Sequence, residues 1–437
     1  MTGIDWLQSL VNYEKRLPSK YSDEAFSTDR YRRLLARLGD PHRCGIPTVQ
    51  ILGTDGKGST LAFLEELLHL AGKSTCAFIS PHLIRVEERF RWNSLPADTS
   101  ELDRCLEAVR PLAEEGLTYF EALNAAFWLW CGERRPDYVL LETGLGGRLD
   151  TTTICHSAVK ILTLLDRDHV GLLGGTIPKI AHEKLAALVQ GVPTIVGKQS
   201  AFLEEEIRKH LEENYVTAIW TSTAARAEIG ERTRSHWLAR IGSGRYGARW
   251  WSLALLGDHQ VENFASALCA LDALGLHPPD LEDPIAIRPR WQARCQVLED
   301  CRGFSWVLDG SHTALSGQSL RRLLDQVFPS EPRVFLCASS RERFPWCYLR
   351  GLARKDDRLI LVDYPHPRLW GAVELRESLE SEGWSHHPTP TLEILSSEEA
   401  LAAPWPHRGV VVASGSLYWA GRALEVLSGR GLQGPTD

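Results

Sequence analysis

A glycine-rich stretch directly after an apolar segment constrains this chain more than any other feature. Residues 49–60 read Val-Gln-Ile-Leu-Gly-Thr-Asp-Gly-Lys-Gly-Ser-Thr, and apolar residues follow at helical spacing up to Ala71. This pattern predicts a strand, a tight loop and a helix. Backbone N–H groups of the glycines, the helix dipole, the Lys57 ammonium and a hydroxyl for Mg²⁺ together suit a nucleotide phosphate. The alternative is an ordinary turn between a strand and a helix.

Length and composition indicate a globular protein with two domains. The chain has 437 residues, of which 43% are hydrophobic and 24% charged, and this length exceeds one typical core. The formal net charge of -7 argues against a general nucleic-acid or membrane-surface binder. We expect a cytoplasmic protein, because no signal segment or membrane-spanning run is visible. Ten cysteines without a Cys-x-x-Cys pair indicate reduced thiols.

Chemically active residues recur where apolar strands end. Ser80, Glu142 and His169 each follow a predicted strand. In open parallel sheets, ligands lie beyond the carboxyl ends of the strands. A carboxylate such as Glu142 beside a phosphate loop can bind a nucleotide-associated Mg²⁺. Each residue alone also fits a solvated loop, but we expect Lys57, Glu142 and His169 to meet at one edge of the sheet.

The domain boundary is predicted where proline and acidic residues are dense, at residues 276–284. The first domain would then cover residues 1–283 and the second residues 284–437. In the second domain, strands near Val307, Val334, Leu359 and residues 410–413 alternate with helical stretches. This order predicts a smaller α/β domain.

Eight short motifs occur in order along nearly the whole chain. They are Gly-Thr-Asp-Gly-Lys-Gly-Ser-Thr at 53–60, Ser-Pro-His-Leu at 80–83, Glu-Thr-Gly-Leu-Gly-Gly-Arg-Leu-Asp at 142–150, Asp-His at 168–169, Glu-Lys at 183–184, His-Gln-x-x-Asn at 259–263, Asp-Gly-Ser-His at 309–312 and Ser-Gly-Ser-Leu-Tyr at 414–418. Together they resemble the folylpolyglutamate synthase/dihydrofolate synthase family, within the Mur ligase superfamily. Members of that family use ATP to join a pteroate or folate carboxylate to the amino group of L-glutamate.

The resemblance implies an α/β fold with two parts. The first would be a P-loop parallel-sheet ATPase domain of the Mur ligase central-domain type, which binds ATP and the pterin or folate. The second would be a smaller Rossmann-like C-terminal domain that binds glutamate. The implied partners are small molecules and the implied state is a monomer, and from the net charge we expect no nucleic acid and no membrane among the partners.

The resemblance also implies roles for individual residues in nucleotide and substrate binding. The ATP phosphates would be bound by Gly53, Thr54, Asp55, Gly56, Lys57, Gly58, Ser59 and Thr60, and the rest of the nucleotide by His259, Asn263, Arg294 and Asp309. The pterin-bearing substrate would contact His82, Arg85 and Asp150, while glutamate would contact Ser416. His312 would join Lys57, Glu142, His169 and Lys184 in the catalytic set.

Two Mg²⁺ sites are implied by the same resemblance. Ser59, Ser80 and Glu142 would bind the first ion. The second would be bound by Glu142, His169 and a carbamoylated Lys184, because a carbamate turns a cation into an anionic oxygen ligand. Without the carbamate, Lys184 would be a positive group near the phosphates.

The implied mechanism has two steps. The substrate carboxylate attacks the γ-phosphate to form an acyl phosphate, and the glutamate amine then displaces phosphate. Positioning and electrostatics provide the catalysis, and closure of the two domains would exclude water.

The sequence departs from the usual family motifs at four places. Asp55 replaces an Asn of the phosphate loop, Thr153 ends a Thr-Thr-Thr run where Ala-Thr-Asn is usual, and Thr313 replaces an Asn. Trp-Gln-Ala-Arg at 291–294 replaces a Pro-Gly-Arg element. Three interpretations therefore stay open: dihydrofolate synthesis, glutamate-tail extension or both; a related Mur-type ligase for another carboxylate or amino acid; and a non-catalytic ATP-binding homologue.

Overall fold

The computed structural model describes the chain except for residues 15–17, 19–20, 23–24, 168–169, 174–175, 245, 279–280, 342, 406–407, 433 and 436–437. The chain forms two compact units. The first comprises Met1–Glu228, Arg240–Trp250 and Glu262–Arg290, and the second Ile229–Ala239, Trp251–Val261 and Trp291–Asp437. The boundary expected after residue 283 stays a prediction.

A large, mainly parallel sheet organises the first unit. Its strands are β1 (Thr48–Leu52), β2 (Thr75–Phe78), β3 (Phe90–Trp92), β4 (Leu95–Pro96), β5 (Tyr138–Glu142), β6 (Val159–Leu162), β7 (Thr194–Val196) and β8 (Ala218–Trp220). The strand order is β4-β3-β2-β5-β1-β6-β7-β8. Only the pairs β2/β3 and β3/β4 among the described pairs of this sheet are antiparallel. Strands β1, β2 and β6 are buried throughout, as expected for a parallel sheet covered by helices on both faces.

Ten helices accompany this sheet in the described part of the chain before residue 274. They are α1 (Gly3–Ser9), α2 (Thr28–Arg37), α3 (Lys57–Leu70), α4 (Thr99–Val109), α5 (Tyr119–Arg134), α6 (Val170–Leu173), α7 (Ile177–Leu185), α8 (Ala201–Glu213), α9 (Thr221–Ala224) and α10 (Asp258–Ala273). Helix α3 begins at Lys57, four residues earlier than the apolar spacing predicts, because the small residues after Lys57 form its first turn.

Strand β1 lies at the centre of the sheet, and its neighbours position the site. Ile51 pairs with Glu142 of β5 on one side, and Leu52 pairs with Leu162 of β6 on the other. The carboxyl ends of β1, β5 and β6 are therefore adjacent. The core on one face contains packed aromatic rings, among them Phe78, Phe90 and Phe127, whose centroids lie 5.3 to 6.1 Å apart.

A four-stranded sheet has the order β12-β11-β10-β9. Its strands are β9 (Ala227–Arg232), β10 (Trp237–Ser243), β11 (Tyr246–Leu253) and β12 (Ile285–Ile287). Along β10, fully buried residues alternate with more exposed ones, as expected for a sheet with one face against the core.

The second unit contains a six-stranded sheet. Its strands are β13 (Gln296–Glu299), β14 (Ser305–Leu308), β15 (Arg333–Cys337), β16 (Arg358–Asp363), β17 (Leu392–Ser396) and β18 (Val410–Ser414), and its helices are α11 (Ala314–Val327), α12 (Pro345–Leu352), α13 (Ala372–Ser381), α14 (Ser397–Ala402) and α15 (Leu417–Gly429). The strand order is β13-β14-β18-β15-β16-β17. All its described pairs are parallel except β13/β14. The predicted α/β fold class, with a P-loop sheet followed by a smaller α/β domain, is confirmed. None of the described helices has both the length and the apolar character needed to cross a membrane.

Candidate active site

The phosphate loop is anchored to the segment that follows β6. The backbone N–H groups of Thr54 and Asp55 both donate to the carbonyl oxygen of Leu164, at 2.8 and 3.2 Å. Gly53 has a φ of 140°, and a Cβ at this position would lie 2.0 Å from Oγ1 of Thr163. Only glycine therefore fits at the point where the chain leaves β1.

The start of α3 is open to an anion. Its N-cap is Gly56, with a φ of 89° and no side-chain cap, so no side chain of the cap residue occupies the first-turn N–H groups. A Cβ on Gly56 would lie 2.4 Å from Oδ1 of Asn263. The structure thus places Asn263, predicted to bind the nucleotide, directly beside the phosphate loop. Gly58, Ser59 and Thr60 form the first turn of α3 and are buried.

Two lysines approach one carbonyl of the loop. Nζ of Lys57 donates to the carbonyl oxygens of Gly53 and Thr54 at 3.3 and 3.0 Å. Nζ of Lys184, on α7, donates to the Gly53 oxygen at 2.8 Å. Burial, and then the positive charge of Lys57, lower the pKa of Lys184 to about 7. A substantial fraction of Lys184 is therefore neutral at physiological pH.

Glu142 and Ser80 lie together at the neighbouring strand ends. Both residues are buried, and Oε2 of Glu142 accepts a hydrogen bond of 3.1 Å from the backbone N–H of Ser80. Oγ of Ser80 is buried and has no hydrogen-bond partner among the described residues. An orphaned hydroxyl beside a carboxylate is a donor set that fits Mg²⁺, which prefers hard oxygen ligands. Three of the predicted metal ligands, Ser80, Glu142 and Lys184, are thus at the ends of the central strands or on the adjacent helix.

The predicted second metal site is described only in part. His169, with Asp168, lies outside the described residues. Within the described chain, no three His, Cys, Asp or Glu side chains come together as a metal centre. The second Mg²⁺ site therefore stays a prediction that depends on His169 and on a carbamate at Lys184.

Asp150 organises the turn in which it lies. Oδ2 accepts from the N–H groups of Gly144 and Leu145, each at 3.0 Å, and Oδ1 accepts from the N–H and hydroxyl of Thr152 at 2.9 and 2.6 Å. Burial raises the pKa of this carboxyl group. Its oxygens hold the backbone of the turn, so a substrate here would meet a turn that Asp150 has shaped.

The loop after Ser80 presents one ordered imidazole. Nδ1 of His82 accepts a hydrogen bond of 2.9 Å from Nε of Arg89. Arg89 is fully buried and also donates to the Glu14 carboxylate. Arg85 is exposed, and its backbone N–H donates to Glu88. His82 is therefore held in place, whereas Arg85 lies at the surface.

A cavity of about 430 Å³ lies beside the helix that carries Lys184. It is lined by Tyr21, Leu172, Leu173, Pro178, Lys179, His182 and Glu183. The hydroxyl of Tyr21 accepts a hydrogen bond of 3.2 Å from the Leu149 N–H, which connects the cavity to the turn that contains Asp150. Its volume and its mixture of aromatic, aliphatic and polar side chains suit a small organic molecule.

In the second unit, Asp309 arranges a loop at the end of β14. Its oxygens accept from the N–H groups of Cys295 and Ser311 at 2.7 and 2.8 Å. The guanidinium of Arg294 donates to the carbonyl of Ala293 at 2.9 Å. Nδ1 of His312 lies 2.8 Å from the Gly310 carbonyl oxygen; since a carbonyl only accepts, Nδ1 bears the proton.

Two other residues of interest are helix caps. Oγ1 of Thr313 accepts from the Ser316 N–H at 3.2 Å at the start of α11. Oγ of Ser416 accepts from the Tyr418 N–H, also at 3.2 Å, at the start of α15. His259 lies one turn before Asn263 on α10, in the segment assigned to the second unit.

Sequence reasoning missed Tyr21, Gln50, Glu14 and Arg89. The sequence contains one indication of a special role for Gln50, because it is a polar residue within an apolar strand run. The other three make contacts across 75 to 128 residues of sequence, and no local pattern encodes those contacts.

Comparisons with known proteins agree with the fold described above. Residues 51–271 match the Mur ligase middle domain family. A dihydrofolate synthase/folylpolyglutamate synthase of Bacillus subtilis is 26% identical over 417 residues, which cover 89% of this chain and 92% of the relative. The folylpolyglutamate synthase structure of Thermotoga maritima has a TM-score of 0.78 at 24% identity, covering 97% of this chain and 96% of that one. The structure of E. coli FolC with ADP has a TM-score of 0.81 at 23% identity and covers 98% of each chain. At these identities the two structures establish the fold.

Proposed function

The chain belongs to the Mur ligase family, and from this premise we propose that it is an ATP-dependent ligase joining L-glutamate to a pteroate or folate carboxylate. The names of its near full-length relatives support this substrate class. The reaction would be dihydrofolate synthesis, extension of a folate glutamate tail, or both.

One observation carries the proposal. The phosphate loop, the Ser80–Glu142 pair and the buried Lys184 lie at the ends of the adjacent strands β1, β2 and β5 or contact those ends. This arrangement joins an anion site to a hard-metal site, which is what phosphoryl transfer to a carboxylate requires.

Different residues would bind the phosphates and the Mg²⁺ ion. The N–H groups at the start of α3 would bind the phosphates, and Lys57 would exchange its bonds to the loop carbonyls for bonds to the β- and γ-phosphate oxygens. Ser59, Ser80 and Glu142 would hold Mg²⁺, which supplies charge neutralisation on the γ-phosphate. The carboxylate oxygen of the substrate would form a bond to the γ-phosphorus as the bond to ADP breaks, and the glutamate amine would then displace phosphate from the acyl phosphate.

Lys184 would act as a carbamate. Carbamoylation joins a neutral amine to CO₂ and releases a proton, and burial beside Lys57 favours the neutral amine. The anionic product would also be attracted to the Lys57 ammonium. We include a second Mg²⁺, bound by this group with Glu142 and His169, in the same proposal.

The cavity beside α7 would take the ring system of the carboxylate substrate. Tyr21, Leu172 and Leu173 provide apolar contact for a flat ring, and the adjacent turn holds Asp150. His82 on the loop after Ser80 would be a further contact. The proposal also includes roles in binding the nucleotide and amino acid for His259, Arg294, Asp309, His312 and Ser416. These roles and the proposed monomeric state rest on the family resemblance, whereas the proposed cytoplasmic location rests on the sequence.

The test measures phosphate release from Mg²⁺-ATP with dihydropteroate, dihydrofolate or tetrahydrofolate, each with and without L-glutamate. Products are identified by mass. We expect turnover that requires both a pterin compound and glutamate, and we expect Glu142→Gln to abolish it while ADP still binds. Turnover only with another acid or amine would replace the proposed substrates. ATP binding without turnover for any of a wide range of acids and amines would support a non-catalytic protein.

A further inference from the structure

Gln50 forms a buried hydrogen-bond centre directly below the phosphate loop. Its side chain is fully buried in β1, and Nε2 lies 3.1 Å from Oγ1 of Thr143, 3.1 Å from Oγ1 of Thr152 and 2.8 Å from Oγ1 of Thr153. These three threonines lie 93 to 103 residues away in sequence. One amide group thus contacts three hydroxyl groups of residues 143–153, which are distant in sequence.

The other hydrogen bonds of the threonines fix the orientation of this amide. The Thr152 hydroxyl donates to Oδ1 of Asp150 at 2.6 Å, and the Thr153 hydroxyl donates to the Gly147 carbonyl at 2.7 Å. Each hydroxyl has one hydrogen, so both can only accept from Gln50. The NH₂ group of Gln50 must therefore face the threonines. Its Oε1 is buried without a partner among the described residues. An unpaired buried acceptor lowers the stability of the folded protein, so the contacts of the NH₂ group must offset that loss.

The threonines connect Gln50 to both sides of the proposed site. Thr143 follows the candidate metal ligand Glu142 in sequence. Thr152 reaches Asp150, which holds the N–H groups of Gly144 and Leu145. Thr153 holds the carbonyl of Gly147.

Gly147 in turn packs against the helix that carries Lys184. A Cβ on Gly147 would lie 3.0 Å from the Lys184 carbonyl oxygen and 3.1 Å from its Cα. The position of the turn formed by residues 144–153, called the Asp150 turn, is therefore linked to Gln50 at one end and to the Lys184 backbone at the other.

We propose that Gln50 is a positioning residue that sets the Asp150 turn relative to the phosphate loop, and thereby sets where the carboxylate substrate lies relative to the bound nucleotide. Gln50 lies in β1, three residues before Gly53, so its amide connects the turn to the strand that leads into the phosphate loop. Removing the NH₂ group would release the turn while leaving the phosphate contacts in place. This inference rests on the proposed function, because it assigns the turn to the carboxylate substrate.

The test compares Gln50→Met with Thr48→Val. Methionine keeps the length and volume of the side chain and removes the donor. Thr48 is also buried, lies two residues earlier on the same face of β1, and donates to the Ile46 carbonyl at 3.1 Å, so Thr48→Val removes a partly buried side-chain hydrogen bond that is separate from the Gln50 centre. For Gln50→Met, we expect KM for the carboxylate substrate to rise about tenfold while KM for ATP changes less than about twofold. Thr48→Val should change neither constant.

Thr153 supplies a second, independent variant in case Gln50→Met does not fold. Thr153→Val removes the same connection from the other end and should show the same split in KM, whereas Thr153→Ser keeps the hydroxyl and should restore wild-type values. Hydrogen exchange should be faster at the N–H groups of Gly144 and Leu145 in Gln50→Met and in Thr153→Val, and unchanged at α3. This readout needs no activity, so it is independent of the substrate assignment.

The outcomes separate the two proposals. Equal rises in both KM values, or a split that Thr48→Val reproduces, would overturn the positioning role and leave Gln50 as an ordinary structural residue. If the wild-type protein turns over no pterin compound, the proposed substrate class is wrong. If the hydrogen-exchange pattern is nevertheless as expected, Gln50 still holds the turn.

Discussion

Lys57 and Lys184 donate to the same backbone oxygen, that of Gly53, at 3.3 and 2.8 Å. One lysine belongs to the phosphate loop and the other to α7, 127 residues later in the sequence (184 − 57). Two ammonium groups at one carbonyl repel each other, which helps to lower the pKa of the more buried one. The lowered pKa of Lys184 suits it to a different task from that of Lys57.

Replacing each lysine should separate those tasks. Lys57→Met should weaken binding of Mg²⁺-ADP by about 30-fold, because it removes a charge-assisted contact of about 2 kcal/mol. Lys184→Met should leave ADP affinity within about threefold and lower phosphate release by at least about 100-fold, because it removes a catalytic group. Calorimetric titration with ADP and a phosphate-release assay measure the two effects.

Lys198 offers a matched surface control for these lysine variants. It is exposed and paired with Glu262 at 3.1 Å, so Lys198→Met should change neither quantity. Equal losses of ADP affinity in Lys57→Met and Lys184→Met would contradict the division of tasks.

Gly147 should not tolerate a methyl group. Its Cβ would lie 3.0 Å from the carbonyl oxygens of both Glu183 and Lys184, and backbone atoms cannot turn away as a side chain can. We expect Gly147→Ala to lower the free energy of unfolding by about 1 to 3 kcal/mol and to reduce turnover by displacing Lys184. Urea unfolding and phosphate release measure the two effects.

Gly132 provides the comparison within a helix. It lies in α5, and a Cβ there meets no atom within 4 Å. Gly132→Ala should raise the free energy of unfolding by about 0.5 to 1 kcal/mol through helix propensity and leave turnover unchanged. A Gly147→Ala protein as active and stable as wild type would show that the turn is free to move away from α7.

Lys160 should make the free energy of unfolding increase with pH in the alkaline range. Its side chain is buried in β6 and donates to the Ala187 carbonyl at 2.5 Å, and burial lowers its pKa from 10.5 to about 8. Between these values the unfolded state binds more protons than the folded state, so the free energy of unfolding rises with pH. Relative to Lys160→Met, the wild type should gain about 3 kcal/mol between pH 7.5 and pH 10.5.

Urea unfolding of both proteins across that pH range measures the Lys160 effect. The comparison cancels other titrating groups that the two proteins share. A constant difference between wild type and Lys160→Met at all pH values would show that Lys160 has an ordinary pKa in the folded protein.

Thr313 should matter for stability as the N-cap of α11. Thr313→Ala removes the acceptor for the Ser316 N–H and should lower the free energy of unfolding by about 1 kcal/mol. Thr313→Asn places another good N-cap residue there and should change it by less than about 0.5 kcal/mol. Ser319→Ala is a control in the same helix, since Ser319 is half-buried and its hydroxyl donates to the Leu315 carbonyl and accepts from the Arg322 guanidinium without capping the helix. If Thr313→Ala and Ser319→Ala lower the free energy of unfolding equally, the N-cap hydrogen bond of Thr313 does not contribute to stability.

The sequence predicted the part of the site that local patterns encode. An apolar strand followed by glycines predicts the phosphate loop, and the rule that ligands bind at strand ends predicts the meeting of Lys57 with Glu142. The assignment to the Mur ligases from eight ordered motifs is confirmed, as is the fold class. His169 lies outside the described residues, and the individual binding roles stay predictions.

The missed contacts depend on tertiary structure. Gln50 meets its threonines only because β1 pairs with β5 in one register, and a single sequence does not contain that register. Likewise Arg89 orients His82 through a side chain that is buried among distant residues, with Glu14 as its ion-pair partner. The family resemblance implies substrate contacts for His82 and Arg85, but it does not reveal that the fold buries Arg89 and leaves Arg85 exposed.

The anchoring of the phosphate loop on both sides also bears on the kinetics of nucleotide binding. The N–H groups of Thr54 and Asp55 are bonded to Leu164, and the Gly53 carbonyl to two lysines, so the loop loses its conformational entropy when the protein folds. Encounter with a nucleotide then needs no ordering of the loop. Association rates should be nearly the same for ATP, ADP and non-hydrolysable analogues, and differences in affinity among them should reside in their dissociation rates.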